Sequence, residues 1–212
     1  MEKLAHDIAN KIAVYLDFDD NKESVIAYGL TAIIQIITLL SIITIIGLIF
    51  DFWYESFIIF VTVGIIRKST GGAHSETMYG CILISVLNIV ILSSLSRYIL
   101  NHPLNLFINL SISIFLYILC AFTFYKLVPI ASPKKPITNP IKIKRLRNQS
   151  YITITVFFII SVVFVLLAEK NARFYSIAFS IRLAMLWQVF TLTSLGTTFI
   201  NKIDLKFRTV ND

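Results

Sequence analysis

Six apolar runs, most of them near twenty residues long, dominate the sequence: Val25 to Phe50, Phe52 to Ile66, Tyr79 to Leu100, Leu104 to Val128, Tyr151 to Ala168 and Phe174 to Ile200. A helix needs about 20 such residues, at a rise of about 1.5 Å each, to cross a bilayer. Inside hydrocarbon every backbone N–H and C=O must be satisfied by the chain itself, so runs of this length read as helices. With 57% hydrophobic and only 15% charged residues and a mean hydropathy of +0.80, a chain of 212 residues has more apolar surface than a soluble domain of that size can bury. The predicted class is therefore all-α: a polytopic integral membrane helical bundle of about six transmembrane helices, forming a single domain over residues 1–212. The second run is the weakest, because it has only 15 residues and contains Glu55. It is expected to tilt, to begin deeper, or to fall short of spanning alone.

Residues 1–24 differ from the rest. Leu4, Ile8, Ile12 and Tyr15 or Leu16 recur at helical spacing with charged residues between them, which predicts an amphipathic helix lying in the membrane interface. They lack the unbroken apolar core and small-residue cleavage site of a signal peptide, so none is expected. Two cysteines, Cys81 and Cys120, are too few for a disulfide framework and are expected to be reduced. The formal charge of +7 is not accompanied by a basic motif interleaved with aromatics, which argues against nucleic acid as a partner. Its distribution suits a topology signal. With six crossings the termini share a side, and fifteen of the nineteen Lys and Arg residues fall on that side, against Arg97, Lys170 and Arg173 on the other. Both termini are thus predicted to be cytoplasmic.

One connector on that side carries residues suited to chemistry. From Arg67 the chain reads Arg-Lys-Ser-Thr-Gly-Gly-Ala-His-Ser-Glu-Thr-Met-Tyr-Gly-Cys, ending at Cys81. A thiolate is the nucleophilic form of cysteine, and an imidazole such as His74 can take the thiol proton and later return it to a leaving group. On a straight helix the two residues would lie about 10 Å apart, too far for a hydrogen bond. The segment from 67 to 78 is therefore expected to fold back as a cytoplasmic loop, with Gly71, Gly72 and Gly80 permitting the turn or leaving backbone N–H groups open for an oxyanion. Glu76 is the candidate acid for orienting His74. Spacing alone equally allows Cys81 as a small packing residue and His74 as an interfacial loop residue. Cys120, in the middle of an apolar run, reads as structural. His6 and His102 have no cysteine close by in sequence.

A second connector, residues 129–150, is basic throughout, with Lys134, Lys135, Lys142, Lys144, Arg145 and Arg147 and no acid. Contact with anionic lipid headgroups and docking of an acidic peptide are both open readings of it. Glu55 and Arg182 are costly in hydrocarbon unless paired, and are expected to meet across the second and sixth helices, with Gln35, Asn88 and Gln188 lining the same interior.

The order of Arg67, the Gly71–Gly72 pair, His74 and Cys81, followed by the stretch Pro129-Ile-Ala-Ser-Pro-Lys-Lys-Pro-Ile137, resembles the accessory gene regulator protein B (AgrB) family, the bacterial membrane cysteine peptidases of quorum sensing. The resemblance covers nearly the whole chain. It implies a multi-pass protein of the bacterial cell membrane in which Cys81 is the nucleophile and His74 its base. The implied substrate is an AgrD-like precursor peptide, cut before its C-terminal tail and cyclised to a thiolactone or lactone through an acyl-enzyme on Cys81. Arg67, Lys134 and Lys135 are the implied substrate-binding residues, a homodimer is the implied assembly, and neither a cofactor nor a metal is called for. The competing readings are a small transporter or channel, with Glu55, Arg182 and Gln188 marking its pathway, and a noncatalytic scaffold. There is no HExxH zinc motif and no P-loop.

Overall fold

Short polar residues mark where the helices begin. Asp19, Asn105 and Asn139 accept backbone N–H bonds from Lys22 (3.0 Å), Phe107 (2.9 Å) and Ile141 (2.9 Å), satisfying donors that the first helical turn cannot pair internally. Pro140 follows Asn139 at the first helical position, where its missing N–H costs nothing. In the computed structural model, which describes residues 2–73, 75, 77–100, 102, 104–130 and 138–211, the chain forms eight helices. These are α1 (Glu2–Leu16), α2 (Asp20–Ile49), α3 (Trp53–Thr70), α4 (Met78–Leu100), α5 (Leu106–Leu127), α6 (Pro140–Leu167), α7 (Arg173–Leu192) and α8 (Ser194–Asn211). Among the described residues there is no strand, only an isolated bridge between Gly71 and Ile130. The all-helical class is as the apolar runs require.

The chain divides into two compact units, Met1–Ile42 and Ile43–Asp212. In the first, α1 is helical as its periodicity predicts, and Glu23 in the first turn of α2 accepts from Asn10 at 3.4 Å and lies 3.5 Å from His6 Nδ1. The second unit is a bundle organised around α7, which packs against α3, α4, α5, α6 and α8. Twelve of the 20 residues of α7 are buried, whereas α4, α5 and α6 turn apolar side chains such as Ile91, Phe115, Ile118 and Ile152 outward. An exposed surface of that kind needs lipid as its solvent. The buried apolar core joins Ile66 of α3, Phe124 of α5, Ile154 of α6 and Met185 of α7.

Among the described residues five helices, α2, α4, α5, α6 and α7, are long and apolar enough to cross a membrane. The second apolar run is not among them: α3 has Glu55, Arg67 and Lys68 within 18 residues. Its length, about 27 Å at the standard helical rise, nevertheless carries it from one end of the bundle to the other. At one end Glu55 accepts a hydrogen bond from Ser176 of α7 at 2.7 Å and lies 3.7 Å from Arg97 of α4, which also pairs with Asp51. At the other, Thr70 accepts from Gln188 of α7 at 2.8 Å. Glu55, Ser56, Thr62, Ser69 and Thr70 are buried against protein, while Lys68 is exposed. The expected Glu55–Arg182 pair does not form, because Arg182 Nη1 instead donates to Asn109 Oδ1 of α5 at 3.0 Å.

The sixth run also ends earlier than its hydropathy suggests. Thr193 is extended (φ −86, ψ 160), closing α7, and its Oγ1 accepts from the Gly196 N–H at 3.2 Å, opening α8. A Cβ on Gly196 would lie 2.8 Å from the Phe190 carbonyl carbon and 3.0 Å from Thr191 Cα, so this corner requires glycine.

Gly196→Ala is expected to lower stability by about 1–3 kcal/mol by forcing backbone apart, whereas Gly64→Ala, which meets open space within α3, should be neutral or stabilising by up to about 1 kcal/mol. Thermal unfolding of both variants in one detergent, followed by circular dichroism, checks the difference.

Candidate active site

The α3–α4 connector is a turn whose backbone is held on three sides. Helix α3 stops when the Gly71 N–H bonds back to the Arg67 carbonyl at 2.9 Å, and the chain then takes left-handed values at Gly71 (φ 71) and Gly72 (φ 122) that favour glycine. Ile130 donates its N–H to the Thr70 carbonyl at 2.9 Å, and a Cβ on Gly71 would collide with the Ile130 carbonyl oxygen. The paired glycines and the start of the basic stretch, recognised separately in the sequence, are thus brought into contact. From α7, Gln188 Nε2 donates to both Thr70 Oγ1 and the Gly71 carbonyl at 2.8 Å, and the Thr191 carbonyl accepts from the Ala73 N–H at 3.0 Å. Arg67 Nη2 donates to the carbonyls of Gly72 and Ala73. The polar backbone of residues 70–73 is therefore paired with α3, α7 and Ile130 rather than left to solvent.

The start of α4 is held from another direction. Thr77 acts as its cap: Oγ1 accepts from the Gly80 N–H at 3.2 Å and the carbonyl accepts from the Cys81 N–H at 3.0 Å. Thr77 and Ser75 both donate hydroxyls to Asp204 Oδ1 of α8, the Thr77 bond measuring 2.8 Å. Glycine at position 80 is required by this cluster, since a Cβ there would lie 2.7 Å from Thr77 Oγ1 and 2.9 Å from Asp204 Oδ1. The same Thr-x-x-Gly pattern opens α8 at Thr193 to Gly196, a sequence signal for both corners.

Cys81 is the fourth residue of α4 and half-buried, while Cys120 in α5 is fully buried. Arg67, in the last turn of α3, lies close enough to Cys81 to interact with it electrostatically. The N–H groups of Gly80 and Cys81 are engaged within the cap, so the oxyanion donors expected from glycine at the helix start are already used. The helices end at Thr70 and begin again at Met78, so residues 67–81 are not one straight helix, and Arg67 to Thr70 form the last turn of α3 rather than loop. His74, Glu76, Lys134 and Lys135 lie outside the described residues. Asp204, Ser75 and Thr77 were not singled out in the sequence, where Asp204 stands among the basic residues of a C-terminal segment with no motif around it. Among the described residues no three His, Cys, Asp or Glu side chains are grouped as a metal site would need.

Comparison with known proteins finds relatives along nearly the whole chain. The profile of the family described as AgrB, accessory gene regulator B, matches residues 5–192. Two AgrB-like proteins of Clostridium perfringens align along nearly their whole length. The one from strain SM101 / Type A is 32% identical over 208 residues, and the one named AgrB-like protein 2, from strain 13 / Type A, is 30% identical over 210; each alignment covers 96% of both chains. No solved structure matches the chain.

A thiol-directed electrophile applied to the folded protein is expected to modify Cys81 and spare Cys120, which is 0% exposed. Mass spectrometry of the alkylated chain reads the ratio, and equal modification of both would contradict the burial described above.

Proposed function

Because the chain belongs to the accessory gene regulator B family, whose members' quorum-sensing role is the processing of a signalling peptide, we propose that it is a membrane cysteine endopeptidase that cuts and cyclises a precursor. The observation that carries this reading is Cys81 itself: a half-buried thiol at the start of α4, beside the Arg67 cation and behind a turn pinned by α7, α8 and Ile130. That setting suits a nucleophile that must be placed accurately while remaining reachable.

In the proposed reaction His74 takes the Cys81 proton and the sulfur attacks the scissile carbonyl of an AgrD-like precursor. The tail amine then leaves with that proton, and a thioester remains on Cys81. A cysteine or serine within the peptide attacks the thioester, regenerating the thiol and closing a thiolactone or lactone. Thiol-for-thioester exchange is nearly balanced, whereas hydrolysis is strongly downhill, so the loaded site must keep water out. With Gly80 and Cys81 N–H groups engaged, the Arg67 guanidinium is proposed to counter the oxyanion's charge. Glu76 is proposed to orient His74. Lys134 and Lys135 are proposed to dock the acidic tail of the precursor, with lipid headgroups beside them. Both termini and this site are proposed to lie on the cytoplasmic face, a reading that the charge bias supports, and the functional unit is proposed to be a homodimer. Glu55, Arg182 and Gln188, which the transporter reading would place along a pathway, each hydrogen-bond between helices.

Cys81→Ala and His74→Ala are each expected to reduce tail cleavage by about 1,000-fold or more while membrane insertion is unchanged. The assay is mass spectrometry of the precursor encoded in the adjacent reading frame, and normal cutting by Cys81→Ala would end the peptidase reading. Replacing Lys134 and Lys135 with Gln is expected to weaken cleavage at low salt and flatten its salt dependence; an unchanged rate and salt profile would remove the docking role.

A further inference from the structure

The turn that presents Cys81 is anchored by a residue beyond the segment that the family profile covers, which ends at residue 192. Asp204 of α8 is 5% exposed, and its Oδ1 accepts from the Ser75 hydroxyl, from Thr77 Oγ1 at 2.8 Å and from the Thr77 N–H at 3.4 Å. Bonds to an ionised carboxylate are stronger than neutral ones, and a negative charge is favoured at the positive end of α4. Thr77 passes the constraint on, because its Oγ1 holds the Gly80 N–H and its carbonyl holds the Cys81 N–H. Two hydrogen-bonded steps therefore separate the Asp204 carboxylate from the backbone of Cys81. Ser75 and Thr77 stand on either side of Glu76 in the sequence, and Ser75 follows His74.

An apolar residue could dock α8 without the cost of burying a charge. What the carboxylate adds is direction: three donors converge on one oxygen and set the angle at which the turn enters α4. We propose that Asp204 is the positioning residue of this site, locking the turn from Ser75 to Gly80 so that Cys81 is presented in one orientation. Its consequence for catalysis rests on the reading of Cys81 as the nucleophile.

The test uses the full-length protein in lipid nanodiscs and two readouts. Iodoacetamide alkylation of Cys81 is followed with Cys120 as the internal control for an intact fold, and kcat and KM are measured on the precursor from the adjacent reading frame. Asp204→Leu is expected to speed Cys81 alkylation and to lower kcat, each by about tenfold, with KM within about twofold, the scale of losing hydrogen bonds to a charged acceptor. Asp204→Asn keeps an acceptor oxygen and should restore both to within about threefold of wild type, a rescue that simple packing would not produce. Combining Thr77→Val with Asp204→Leu should be no worse than the poorer single variant. Wild-type alkylation and kcat in Asp204→Leu, or no recovery in Asp204→Asn, would overturn the proposal. If Asp204→Leu also exposes Cys120, Thr77→Val alone decides: the same fall in kcat at constant KM supports the proposal, and its absence defeats it. Cleavage by Cys81→Ala would instead defeat the peptidase reading, while the alkylation arm still judges Asp204.

Discussion

Hydrocarbon offers no hydrogen bonds, so a polar side chain on a membrane helix must find its partner inside the bundle, and α7 is where most of those partners meet. Ser176 near its start takes up Glu55 of α3, Arg182 in its middle reaches Asn109 of α5, and Gln188 and Thr191 near its end hold the turn at Gly71 to Ala73. These contacts order three neighbours along one helix. They also hold α3 at both ends, through Glu55 and Thr70.

The same helix links the bundle to its candidate active site. The last turn of α7 grips one side of the α3–α4 connector, and the corner at Thr193 turns the chain so that α8 can bring Asp204 to the other side. Ile130, from the start of the basic connector, closes a third side. The turn is therefore assembled from segments that are distant in sequence, and each close approach is made where a glycine stands: Gly71 against Ile130, Gly72 against Thr191 and Gln188, Gly80 against Thr77 and Asp204. The glycines serve contact as much as flexibility.

This arrangement suits the proposed chemistry. A cysteine that forms an acyl-enzyme in contact with a membrane needs a fixed position and restricted water, and hydrogen bonds from a rigid bundle supply the first. Arg67 joins the two requirements: its guanidinium ties down the carbonyls of Gly72 and Ala73 and lies within electrostatic reach of Cys81.

The helical class and the family were legible in the sequence, because each depends on local chemistry: unbroken apolar runs, and paired glycines with a histidine seven residues before a cysteine. The sequence also marked Gly71, Gly72 and Gly80 as residues that permit a turn before Cys81. It did not reveal that Glu55 of α3 is buried against α7, that Arg182 pairs with Asn109 instead of Glu55, or that Asp204 anchors the start of α4. Those facts rest on contacts between residues as far apart as Thr77 and Asp204, and hydropathy and periodicity carry no information about which helices become neighbours. Only packing decided which N–H groups around Cys81 were already used and which acid stood beside its turn.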